Sequence, residues 1–165
     1  MIKPHFLDTS ALLKLVVTED GSDRIRQYID RETVFFTGSI CVAEALGVLK
    51  TKHFYKKDLS DEGYFRASHL LFVYLRTGKV RITEEKDLSL SDQRVFFKTE
   101  ALAKKYNIDL ADALQIVMLL SEPFSLCVDE STAILITADG GLADAARQEG
   151  LLVWNCLRED NPPKA

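Results

Sequence analysis

Ala133-Ile134-Leu135-Ile136-Thr137-Ala138-Asp139-Gly140-Gly141 is a run of apolar, largely β-branched residues that stops at an acid and two glycines. Apolarity on consecutive positions suits a strand buried on both faces, as in a parallel sheet covered by helices. The same reading extends to His5-Phe6-Leu7 before Asp8, to Val34-Phe35-Phe36-Thr37, to Val80-Arg81-Ile82-Thr83 and to Leu151-Leu152-Val153-Trp154. Between these runs lie residues 10–17, 22–31, 41–52, 60–77, 91–106, 110–120 and 140–149, with apolar residues at helical spacing. Ile25 and Ile29, then Val42, Ala45, Leu46 and Leu49, mark inward stripes. Phe65, Leu70, Phe72, Val73 and Leu75 mark another, and Val95, Phe96, Leu102 and Ala103 a fourth. Strands alternating with helices, without repeats or Gly/Ser linkers, predict one α/β domain. It spans residues 1–158, and residues 159–165 read as a frayed tail.

The composition agrees. A chain of 165 residues, 47% hydrophobic and 28% charged, can bury a full core and is neither collagen-like nor disordered. The longest apolar run is about five residues, against ~20 for a membrane span. The first eight residues carry one Lys and reach Asp8 at once, unlike a signal peptide. Cys41, Cys127 and Cys156 are an odd set without metal-type spacing, as expected of small apolar residues in a reducing cytoplasm. The net charge of −4 argues against electrostatic coating of nucleic acid. It conceals a polarity, however. Residues 45–81 hold eight bases and three acids, a net of +5, so the remainder carries −9.

Ligand sites of open parallel sheets lie beyond the carboxyl ends of the strands. Asp8 and Asp139 stand at such ends. Each also has an ordinary use, Asp8 as a helix cap and Asp139 in shaping the turn into Gly140-Gly141. Two further acids have less structural excuse. Glu44 is flanked by apolar residues, and its neighbours Gly47 and Val48 offer no ion pair. Asp112 lies in the most apolar helix, three residues after Asp109, and no Lys or Arg occurs between Lys105 and Arg147. A carboxylate buried there needs a distant base, hydrogen bonds or a metal. Carboxylates gathered in one pocket repel each other, and oxygen donors of this kind favour Mg²⁺ or Mn²⁺. Such ions serve phosphoryl chemistry. Ser10 and Thr137 would add hydroxyls beside the acids, although a helix cap and a strand threonine are their ordinary uses.

Phe6-Leu7-Asp8-Thr9-Ser10, Val42-Ala43-Glu44-Ala45-Leu46, Leu110-Ala111-Asp112-Ala113-Leu114 and Ile136-Thr137-Ala138-Asp139 together resemble the PIN-domain ribonucleases. Among these they look most like the VapC-type toxins of VapBC toxin–antitoxin pairs. The resemblance runs over nearly the whole chain in order and spacing. It implies a three-layer PIN-like fold with a central parallel sheet of about five strands flanked by helices, and Mg²⁺- or Mn²⁺-dependent cleavage of RNA. It carries catalysis and metal ligation onto Asp8, Glu44, Asp112 and Asp139, with Ser10 or Thr9 as a supporting polar group. Asp109 does not clearly match the motif and is read, from its place beside Asp112, as a candidate auxiliary ligand, and Thr137 is a further candidate supporting hydroxyl beside Asp139. An antitoxin protein and a homodimer are the partners the resemblance implies. The chain departs from the compact toxins between Glu44 and Asp112 and around residues 123–131. Asp129 and Glu130 match no part of the motif, and Asp144 reads as part of a solvated face.

Two other readings stay open. One is a phosphohydrolase or phosphoacceptor of another α/β family acting through Asp8, although a haloacid-dehalogenase-type enzyme would want Asp where Ser10 stands. The other is a non-catalytic PIN-like binding module. Just after the Glu44 stretch, Lys50, Lys52, Lys56 and Lys57 surround His53, Phe54 and Tyr55. Bases interleaved with aromatics can hold phosphates and stack bases, which makes the lysines and Tyr55 candidate RNA contacts. The ordinary alternative is a solvated charge run whose rings anchor a helix end. His53 has no matched acid for general-base work, and His5 and His69 read as structural.

Overall fold

The computed structural model describes residues 4–31, 35–83, 91–121 and 133–163. Within them are five strands: β1 (His5–Leu7), β2 (Phe35–Gly38), β3 (Val80–Thr83), β4 (Ile134–Thr137) and β5 (Leu152–Asn155). Seven α-helices accompany them: α1 (Thr9–Val16), α2 (Ser22–Arg31), α3 (Ser39–Lys50), α4 (Asp61–Arg76), α5 (Gln93–Tyr106), α6 (Leu110–Leu119) and α7 (Gly140–Gln148). The strands form one all-parallel sheet in the order β3-β2-β1-β4-β5. This is the expected α/β architecture. β1 and β4 are buried along their whole length, which is why their sequences are apolar without alternation. β3 lies at an edge, and there Arg81 and Ile82 reach solvent.

The chain builds β2 and β3 on one side of β1, then crosses to place β4 and β5 on the other. Strand order therefore reverses between β1 and β4, and that reversal opens a crevice at the strands' carboxyl ends. The register sets Leu7 opposite Ile136, and Asp8 N–H donates to Ile136 O at 3.2 Å. Asp8 and Asp139 thus leave adjacent strands into the same crevice. α1 packs against α2, α3 and α4, while α6 packs against α5 and α7. Phe6, Leu7, Leu12, Leu15, Leu49, Leu71, Ile116 and Leu135 fill the core between them.

Two inward stripes differ from expectation. On α4 the buried pair is Ala67 and Leu71, whereas Phe65 and Phe72 are 70% and 53% exposed. On α5, Val95, Thr99 and Leu102 are buried, whereas Phe96 is 39% exposed. In both helices small or branched residues allow close approach, and the bulky rings face outward. The third helix also ends earlier than its periodicity predicts. After Lys50 it widens into a π-helical turn, Thr51–Tyr55. Cys41 and Cys156 are buried free thiols. Cys127, Asp129, Glu130 and the insertion at 123–131 lie outside the described residues. At the C-terminus, Trp154 Nε1 donates to Glu159 O at 3.1 Å and Arg24 pairs with Asp160 at 3.0 Å.

Candidate active site

Asp8 is 2% exposed, and its environment is built by neighbours in sequence and space. It caps α1 by accepting from Ala11 N–H at 2.7 Å. The helix therefore starts at Thr9, and Ser10 is not its cap. Instead, Ser10 Oγ lies 2.9 Å from both Asp8 oxygens and accepts from Ala138 N–H at 2.7 Å. Thr137 Oγ1 donates to Asp8 Oδ2 at 2.6 Å and accepts from Asp139 N–H at 2.9 Å. Two hydroxyls thus tie the end of β1 to the end of β4. Burial nevertheless outweighs these hydrogen bonds and raises the Asp8 pKa to about 6.

Asp139 caps α7 through Leu142 N–H at 2.8 Å, and Asp109 caps α6 through Asp112 N–H at 2.8 Å. Asn155, buried at the end of β5, donates from Nδ2 to Asp139 O at 3.2 Å. The positive ends of three helices therefore meet three of the acids. Glu44, half-buried on α3, accepts from Thr9 Oγ1 at 2.6 Å. The Asp112 side chain makes no hydrogen bond among the described residues. Burial, then the charges of Asp109, Asp139, Asp8 and Glu44, raise its pKa to about 7. All five acids line one cleft of about 630 Å³ together with Thr9, Ser10, Lys52 and Lys56. Among the described residues, no three metal-ligand-type side chains are drawn tightly enough together to hold an ion as they stand.

Of the basic candidates, the structure brings Lys52 and Lys56 into the cleft wall, while Lys50, Lys57 and Tyr55 are exposed outside that lining. Lys52 is held by Glu19 Oε2 at 3.1 Å, and the other oxygen of Glu19 takes the buried Lys14 at 3.1 Å. Sequence reasoning missed this chain of charges. Its one signal was Lys14, a cation inside an otherwise apolar helical stretch. His53 Nδ1 lies 3.0 Å from Leu59 O and its Nε2 lies 3.5 Å from Asp61, so an acid stands beside it after all, and it is not among the residues that line the cleft. Asp144 is exposed and pairs with Arg147 and Arg158, as a solvated face should.

A model of the PIN domain matches residues 5–148. The chain belongs to the PIN-domain family. The crystal structure of PAE2754 from Pyrobaculum aerophilum superposes with a TM-score of 0.61, covering 93% of this chain and 92% of that one. At 17% identity that likeness is one of fold. No curated protein matches the chain. PIN domains are generally nucleases, generally use divalent metals, and act on RNA. The donor set of this PIN domain fits such an ion. It offers only hard oxygen atoms, and the mutual repulsion felt at Asp112 is of the kind a divalent cation relieves. Among the described residues, no helix is long and apolar enough to cross a membrane.

Proposed function

We propose that this PIN domain is a Mg²⁺- or Mn²⁺-dependent endoribonuclease, the toxin of a toxin–antitoxin pair, working as a homodimer in the cytoplasm. One observation carries the nuclease reading. Asp8, Glu44, Asp109, Asp112 and Asp139 line a single cleft where strand order reverses, and Asp112 carries a carboxyl whose pKa is raised by burial and then by the other four. Asp8, Glu44, Asp112 and Asp139 would hold the ion, with Asp109 as an auxiliary. Once bound, the ion supplies activated water and charge neutralisation at the scissile phosphodiester. The protein's part is orientation. Thr137 and Ser10 fix the Asp8 carboxylate, Thr9 fixes Glu44, and the α6 and α7 N-termini fix Asp109 and Asp139. Lys52 and Lys56 in the wall offset the acids, which would otherwise repel an approaching phosphate.

The toxin assignment rests on the motif resemblance. The purified protein is expected to cleave RNA when Mg²⁺ or Mn²⁺ is added, and Asp8→Asn and Asp112→Asn are expected to abolish cleavage while remaining folded. Cleavage by both variants at the unmodified rate would refute the site. Growth arrest on expression, relieved by co-expressing a short neighbouring DNA-binding partner, tests the toxin role.

A further inference from the structure

Asp112 and Gln115 are the two polar side chains of α6, a helix whose other residues are all apolar. Gln115 is 1% exposed, and neither its Nε2 nor its Oε1 has a hydrogen-bond partner. A buried amide left unpaired is costly, and native interiors hold few of them. Asp112 lacks the complementary half. Every other acid of the cleft receives a hydrogen bond: Asp8 from Thr137, Ser10 and Ala11, Glu44 from Thr9, Asp109 from the Asp112 N–H and Asp139 from the Leu142 N–H. Burial and the charges of those four acids are what act on the Asp112 carboxyl. An acceptor without a donor and a donor without an acceptor thus stand three residues apart on one helix. That spacing puts Cβ atoms about 5–6 Å apart, and helical side chains lean toward the helix N-terminus. Gln115 therefore leans back over the turn that carries Asp112, while staying out of the cleft lining itself.

We infer that Gln115 is a positioning residue for Asp112, its amide N–H turning onto the ionised carboxylate when a divalent ion enters the cleft. This rests on the metal-dependent nuclease reading and supplies the support that one of its four ligands lacks. A neutral donor suits the task. Lys or Arg in its place would hold the carboxylate equally well but would cancel the charge that the ion needs, whereas an amide orients the acid and leaves its charge in place. Asp112 then joins Asp8 and Glu44 as an acid held by a side chain, and the amide is repaid for its burial only in the ion-bound protein.

The test is Mn²⁺ binding to the full chain by titration calorimetry without RNA, beside melting curves in EDTA. Gln115→Met keeps the length of the side chain and removes its polar atoms. In EDTA it should melt at or above the temperature of the unmodified protein, because two unpaired buried atoms are gone. Its Mn²⁺ affinity should nevertheless fall about tenfold, the usual loss when the partner of a metal ligand is removed. Ile116→Val is the control. Ile116 is fully buried beside Gln115 and donates nothing, so this variant should melt lower yet bind Mn²⁺ as the unmodified protein does. A lower melting temperature for Gln115→Met in EDTA would mean that the amide is already paired without the ion, and would overturn the inference. So would an unchanged Mn²⁺ affinity in that variant, or an equal loss of affinity in Ile116→Val, which would assign the effect to core packing. An unmodified chain that binds no Mn²⁺ overturns the metal-dependent reading itself, and the role of Gln115 falls with it.

Discussion

Asp8 caps a helix and faces the cleft with the same carboxylate, so its supports are separable from its chemistry by choosing which hydroxyl to remove. Thr137→Val keeps the shape of a buried strand residue but takes away the 2.6 Å bond to Asp8 Oδ2 and the acceptor for Asp139 N–H. A buried hydrogen bond to a charged group is worth ~1.5–3 kcal/mol. The variant should lose about 2 kcal/mol, read as a fall in Tm of roughly 6 °C for a domain of this size. Thr9→Val is the contrasting case. Its hydroxyl holds Glu44, which is half-buried and able to find water, so stability should change by less than ~1 kcal/mol. Glu44 would then be free to swing, and RNA cleavage should fall about tenfold, as expected for a misplaced group. A large stability loss in Thr9→Val with unchanged turnover would refute this division of labour.

The elements explain why some of this was legible in the sequence and some was not. Strands β1 and β4 were readable because burial on both faces forces unbroken apolarity, and an acid placed directly after such a run has few places to go. Asp112 was readable for a related reason: α6 is apolar on nearly every side, so its acid lacks a local partner. The outward face of α4 was not readable, because Phe65 and Phe72 fit helical spacing as well as the residues that are buried. What decides is that Ala67 and Leu71 let α4 approach its neighbours closely. The π-helical turn has no compositional mark at all. Nor was it legible that capping and site roles coincide at Asp8, Asp109 and Asp139, since spacing alone sets those roles against each other. The charge chain across α1 carries its own prediction. Lys14 is buried and depends on Glu19, which also holds Lys52. Glu19→Ala strands that ammonium and should cost about 2 kcal/mol, less than for a fully enclosed pair because Glu19 is partly solvated. Lys14→Met/Glu19→Gln should recover most of this in urea denaturation, with RNA affinity still reduced because Lys52 is left unheld. A double variant no more stable than Glu19→Ala would refute the pairing.

Across the whole molecule, the −4 net charge concealed a concentration of acids in one cleft, and that concentration makes stability depend on pH and on divalent ions. Asp8 and Asp112 have folded-state pKa values raised to about 6 and about 7, from ordinary values near 3.8. A raised pKa means the folded state holds its proton more tightly than the unfolded chain. The stabilisation from these two groups is therefore fully present below about pH 4 and is lost as pH rises through 6 to 7. Glu19 works the other way. Its pKa is lowered by Lys52 and Lys14 against the effect of burial, so its contribution is present at neutral pH and lost on acidification. In EDTA, Asp112→Asn should therefore come closest to the unmodified protein near pH 4, where Asp112 is protonated in the folded chain and largely so in the unfolded one, and asparagine is nearly its isostere. Near pH 8 the variant should be the more stable, by about 1–2 kcal/mol once solvent access to the cleft is allowed for. Millimolar Mn²⁺ should reverse the order at pH 8, because binding stabilises only the protein that retains its carboxylates, and the reversal should fade toward pH 4 as protons compete for the same oxygens. The check is a set of melting curves at the two pH values with and without Mn²⁺. If the difference between the two proteins is independent of both pH and Mn²⁺, Asp112 neither feels the other acids nor shares an ion with them.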